Sequence, residues 1–147
     1  MNWRFLSFVT GITLCYKSIQ RIKSMEMTEL GLKGTHVMCL FFLHSHPEGL
    51  TAARLCQLCA EDKAAISRTL AFLQQEGYIH TDGSRYRAKL LLTEKGQAAA
   101  LQVEKLIDKW VGFGGDGLSE EDRAAFYRVL EHISNNLRDT VDSKNKV

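Results

Sequence analysis

Residues 50–96 read LTAARLCQLCAEDKAAISRTLAFLQQEGYIHTDGSRYRAKLLLTEKG, and the local signals along this run decide the fold. Pro47 and Gly49 precede it as a turn. Thr51 then stands where an N-cap belongs, ahead of Ala52, Leu55, Leu58 and Cys59 at helical spacing. Asp62 is placed to cap a second helix, expected over about residues 62–76. At about 100° per residue, Ile66, Leu70 and Leu73 share one face of that helix, and Ala64, Ser67, Arg68, Ala71 and Gln75 fall on its flank or far side. Gly77 follows as a C-terminal cap.

The next segment has hairpin character. Ile79-His80-Thr81 and Ser84-Arg85-Tyr86 flank Asp82-Gly83, a pair that favours a two-residue type I′ turn, so a wing is predicted over about residues 79–92. On the returning strand Tyr86, Ala88, Leu90 and Leu92 would face the domain, and Arg85, Arg87 and Lys89 would face solvent. Thr93-Glu94 opens another helix, with threonine as cap and an acid in the first turn. Two helices, a hairpin and a helix in this order make a winged helix-turn-helix, and the expected fold is mainly α with a small β-hairpin wing. The outer face of the second helix offers short side chains and a long cationic donor. Those are the two kinds that can approach base edges in a major groove.

Asp62, Lys63, Ile66, Ser67 and Arg68, followed by Leu92-Thr93-Glu94-Lys95-Gly96, resemble the recognition-helix start and post-wing helix of the MarR family of bacterial transcription regulators. The family pattern has an Asp-x-Arg element in the wing, and here Ser84 and Tyr86 occupy those places. The resemblance implies a domain of residues 34–93 that binds double-stranded DNA. It also implies dimerisation segments at 1–33 and 94–147 that interlock two copies about a dyad. Thr51, Lys63, Ala64, Ser67, Arg68, Arg85 and Arg87 are the implied DNA contacts. With a wing cut to the Asp82-Gly83 turn, Arg85 and Arg87 are expected to lean on phosphates more than on the minor groove. A small phenolic or lipophilic effector is implied in a crevice that Phe41, Phe42, Trp110 and Phe113 could help to line.

The rest of the chain fits this plan. At 147 residues, with 45% hydrophobic and 24% charged residues and a formal charge of +2, it is ordinary for a globular protein, and its basic groups are local. Residues 1–25 carry Arg4, Lys17, Arg21 and Lys23 without an acid. The run FLSFVTGITLC ending at Cys15 is interrupted by polar residues and too short to span a bilayer, so no membrane partner is expected and the cytoplasm is the default. Phe5, Val9, Ile12, Tyr16 and Ile19 instead repeat as a helix seam. Thr35 to His46 is apolar nearly all round and is expected to be the hub of the core. Beyond the wing, a helix over Glu94 to Val111, a Gly112 to Gly117 connector and a last helix opening at Ser119 with Phe126, Leu130, Ile133 and Leu137 in register complete the chain. These seams call for a partner surface, and a homodimer supplies one.

The histidines and cysteines admit more than one role. His44 and His46, with His36 on the same helix, could suggest zinc, but they are expected to stabilise the end of the helix and the turn at Pro47. Cys56 and Cys59 form a C-x-x-C resembling the thiolate sites of ArsR-type metal and arsenic sensors, but both positions also suit packing, and no metal site is expected. Cys15, between Leu14 and Tyr16, resembles the cysteine of peroxide-sensing MarR proteins and is the redox candidate among Cys15, Cys39, Cys56 and Cys59. No catalytic triad, paired-carboxylate or nucleotide motif is present, so neither an enzyme nor a cofactor is expected. A thiol or metal sensor of the same fold, and a winged helix used only for protein contacts, are the alternative functions.

Overall fold

In a computed structural model that describes residues 2–28 and 31–144, the apolar segment before Pro47 becomes α2 (Gly34–His44), whose Val37, Cys39, Leu40 and Leu43 are buried. Around it lie α1 (Trp3–Glu26), α3 (Ala52–Cys59), α4 (Lys63–Gln75), β1 (Ile79–Thr81), β2 (Leu90–Leu92) and the first part of α5 (Glu94–Gly114). These belong to a unit spanning residues 1–107; residues 108–147 form a second unit that contains α6 (Glu120–Lys144). The core of the first unit is continuous, with Leu55, Ile66, Leu70, Leu73, Ile79, Leu90, Ala99, Ala100 and Val103 packed with the α2 residues. No helix among the described residues is long and apolar enough to cross a membrane.

Caps set the element boundaries. Thr51 Oγ1 accepts the Arg54 N–H at 3.2 Å, and Asp62 Oδ1 accepts the Ala65 N–H at 2.7 Å. Gly77, at φ +75°, closes α4: its N–H donates to the Gln74 carbonyl while Tyr78 N–H donates to that of Leu73, the paired bonds of a Schellman end. Ser119 Oγ accepts the Asp122 N–H at the start of α6.

Three expectations are corrected. The wing does not turn at Asp82-Gly83: β1 pairs with β2 in the register Ile79↔Leu92, His80↔Leu91, Thr81↔Leu90, so residues 82–89 form a loop and Ser84-Arg85-Tyr86 pair with nothing in the ladder. Burial decides this register. It places Ile79 and Leu90 in the core, whereas the tight turn would have aligned Ile79 with Tyr86, here 77% exposed, and asked Tyr86 to fill an inner position. The Asp82 carboxylate is occupied in the loop, accepting the Ser84 N–H at 3.0 Å. Second, α5 continues to Gly114, so the expected connector shortens to the residues before Ser119.

Third, His36 lies at the opposite end of α2 from Pro47. It is buried, stacks on Phe72 with ring centroids 4.3 Å apart, and accepts the Lys33 N–H through Nδ1 at 3.0 Å. His46 does serve the helix end, its Nδ1 lying 2.8 Å from the Phe42 carbonyl, while His44 reaches Gln97 at 3.0 Å. Burial, reinforced by the Lys33 charge, holds the His36 imidazole below its usual pKa. Its folded pKa is depressed and its neutral form is the one folded, so its contribution is complete above about pH 6.5 and is lost as pH falls below that value. In urea titrations between pH 7 and pH 5 the unfolding midpoint is expected to fall. His36→Gln, which keeps an acceptor at the third helical position without a titrating ring, should flatten that slope. An unchanged slope in the variant would remove His36 from the account.

Candidate nucleic-acid interface

The face of α4 opposite its core residues is open. Ile66, Thr69, Leu70 and Leu73 are buried, and Lys63, Ala64, Ser67, Arg68, Ala71 and Gln75 are exposed. The Asp62 cap leaves the first turn of α4 ordered, with Lys63 at the end where backbone N–H groups point outward. Ala64, Ser67 and Arg68 lie three and four residues apart and therefore share a stripe. That stripe presents a methyl group, a hydroxyl and a guanidinium, which together can contact a thymine methyl, either donor or acceptor edges, and a guanine.

The remaining predicted contacts are arranged differently. Thr51 is half-buried; its oxygen caps α3, leaving the hydroxyl hydrogen available to an outside acceptor. Arg85 and Arg87 are exposed in the 82–89 loop, not on a strand, and Arg87 takes a left-handed φ of +49° with its guanidinium 5.5 Å from the Tyr86 ring. Lys89 is tethered by a 3.3 Å bond from Nζ to the Glu48 carbonyl. Arg87 also borders a cleft of about 580 Å³ between α3, α4 and the wing, together with Thr51, Arg54, Gln57 and Gln74. Arg54, Gln57 and Gln74 were missed by sequence reasoning. The α3 outer face carried the signal, since Arg54 and Gln57 stand one turn apart and are joined by a 3.0 Å bond.

The wing is fixed from beneath. Leu50 and Leu90 exchange backbone hydrogen bonds at 3.2 and 2.9 Å, adding a third short strand segment before α3. Thr93 Oγ1 donates to the Gly77 carbonyl at 2.6 Å and accepts the Gly96 N–H at 3.1 Å, tying the end of α4 to the start of α5.

Residues 30–85 match the MarR family. Over that segment the chain carries a winged helix-turn-helix similar to that of the MarR family. Solved structures of MarR regulators superpose over most of the chain. One is a regulator of Listeria monocytogenes, solved with a 26-mer DNA: 19% identical, TM-score 0.82, covering 89% of each chain. A MarR/EmrR-family regulator of Acinetobacter sp. ADP1 is 18% identical with a TM-score of 0.81, covering 95% of this chain and 99% of that one. A MarR regulator of Methanosarcina mazei Go1 is 20% identical with a TM-score of 0.78, covering 90% and 91%. At these identities the superpositions show a shared fold; in this chain Thr93 and Gly96 of the LTEKG run, beyond the matched residues, build the junction between α4 and α5.

The aromatic residues expected to line an effector crevice fall in two places. Phe41 and Phe42 pack edge to face at 5.7 Å on α2, half-buried against the core of the first unit. Trp110 and Phe113 form a second edge-to-face pair at 5.5 Å in the other unit, where the buried Trp110 indole N–H has no partner among the described residues. Cys15 is exposed on α1.

Proposed function

We propose that this chain is a transcription regulator that binds duplex DNA as a homodimer, represses from a pseudo-palindromic operator, and is released by a small phenolic or lipophilic effector. The observation that carries this reading is the exposed Lys63, Ala64, Ser67 and Arg68 stripe on a doubly capped α4, flanked by the exposed arginines of the 82–89 loop. Phosphate contacts by Lys63, Arg85, Arg87 and Thr51 supply sequence-independent affinity, and Ala64, Ser67 and Arg68 read bases. The DNA in the Listeria regulator's structure supports the same use of this fold.

The homodimer reading is supported by the apolar surface of α1, which has no buried residue while Trp3, Phe5, Leu6, Val9, Ile12 and Ile19 are exposed. In α6, Phe126, Val129, Leu137 and Val141 are likewise exposed. Two readers about a dyad would address half-sites roughly 34 Å apart on one face of the duplex. An effector then acts by preferring a different reader spacing, with only its differential affinity shifting the equilibrium.

Selection of bound sequences from a random duplex pool tests binding, symmetry and spacing together. The expected product is a two-fold site whose affinity falls steeply with salt. A chain with no salt-dependent affinity for any duplex would instead be a protein-interaction module. On the selected site Arg68→Ala is expected to cost roughly 1 to 3 kcal/mol, with a smaller loss on random DNA. Equal losses on both would confine Arg68 to backbone contact.

A further inference from the structure

The first unit holds a thiol pair that duplex binding does not use. Cys39, in the middle of α2 and fully buried, has its sulfur 3.9 Å from that of Cys59, the last residue of α3. Cys59 is partly exposed, whereas Cys39 is fully buried. Lys23 of α1 lies near enough to Cys59 for their charges to interact. Ala60 follows Cys59 in the left-handed region at φ +52°, and the chain turns there toward the Asp62 cap of α4.

We propose that Cys39 and Cys59 are a redox modification site, forming a reversible disulfide within one chain when the protein meets a hydroperoxide. The division of labour follows from the surroundings. The hydrogen bond between the two thiols, with the Lys23 ammonium, holds the Cys59 pKa below its ordinary value against the opposing effects of burial and Glu61. That same hydrogen bond, with burial, pushes the Cys39 thiol up. Cys59, the less buried of the two, is therefore the sulfur that attacks, and the buried Cys39 resolves.

In the first step the Cys59 sulfur attacks the peroxide, an S–O bond forms as the O–O bond breaks, and the departing oxygen takes the proton that the Cys59 thiol has given up to solvent and leaves as alcohol or water. In the second, the Cys39 sulfur attacks the sulfenic sulfur, an S–S bond replaces the S–O bond, and the Cys39 proton leaves with the hydroxide as water. The two thiols lose two electrons, and the peroxide takes them. The sulfurs must close from 3.9 Å to about 2.05 Å. Cys39 is fixed inside α2, so the movement falls on the end of α3 and the turn that aims α4.

The test uses the full chain treated with one equivalent of cumene hydroperoxide, denatured under acid and digested without reduction by trypsin. Cleavage after Lys33, Arg54 and Lys63 separates Cys39, in peptide 34–54, from Cys56 and Cys59, in peptide 55–63. The expected product joins these peptides through Cys39 and Cys59, loses two hydrogens, and is reversed by dithiothreitol. Cys56→Ser should leave the link intact, Cys59→Ser should abolish it, and Cys39→Ala should stop at a dimedone-reactive sulfenate on Cys59. Lys23→Gln should slow alkylation of Cys59 at neutral pH several-fold and move its pH midpoint upward. A bridge to Cys56, a bridge between chains through Cys15, or oxidation of Cys15 with Cys59 untouched would overturn the proposal. The peptide map of the unaltered chain decides the matter even if Cys39→Ala weakens the core, and it is read without DNA, so this proposal and the duplex reading can fail separately.

Discussion

Replacing Gly96 with alanine is expected to destabilise the protein by roughly 3 kcal/mol, a large effect for one methyl group. Gly96 is buried in the first turn of α5, where that turn meets the backbone leaving α4. A β-carbon there would lie well inside contact distance of the Tyr78 carbonyl oxygen, 3.0 Å from the carbonyl carbon and 3.1 Å from Leu92 Cδ2. The closest obstacle is the Tyr78 backbone, so no rotamer change relieves it. Tyr78 cannot retreat easily either: its N–H closes the α4 end on Leu73 and its carbonyl accepts the Thr93 N–H at 3.0 Å. The gain of about 1 kcal/mol that alanine brings to a helix interior is too small to offset this overlap. Gly112 is the internal control, since a β-carbon there meets nothing within 4 Å. Urea unfolding should show Gly96→Ala well below wild type and Gly112→Ala at or above it. A Gly96→Ala protein as stable as wild type would mean that the α4-to-α5 junction is looser than its hydrogen bonds imply.

That junction also marks how far the sequence could be read. The caps Thr51, Asp62, Thr93 and Ser119 were legible because each is a short polar side chain just ahead of an apolar period, and their bonds are local. The inner face of α4 was legible for the same reason: Ile66, Leu70 and Leu73 declare it by spacing. Thr69, buried beside them, sits on the same face by spacing, but its polar side chain does not declare burial by type. The wing failed at a different level. Asp82-Gly83 states a local turn preference, but the register is set by whether Ile79 and Leu90 reach the core, which depends on Leu50 pairing with Leu90 from 40 residues away. The Cys39 and Cys59 pair, and the packing of His36 on Phe72, were illegible for that reason too: both join elements that only the tertiary fold brings together.

The largest functional effect is expected from residues that touch no DNA. Ile12→Glu with Ile19→Glu should convert a dimer into a monomer and reduce affinity for the selected two-fold site by roughly a thousandfold or more, to the level of non-specific binding. Both side chains are exposed on α1, so the charges enter no core of the protomer, and the thermal unfolding of the reader should persist. In a dimer they would enter a desolvated apolar seam, where unpaired carboxylates are strongly unfavourable. The loss exceeds that expected of Arg68→Ala because a monomer forfeits an entire half-site, not one base contact. Sedimentation and duplex titration on the same sample separate the possibilities. A wild-type monomer that binds the two-fold site with full affinity would remove the dimer from the mechanism. A variant that is monomeric yet binds as wild type would show that one reader suffices, and the exposed α1 seam would then require a different occupant.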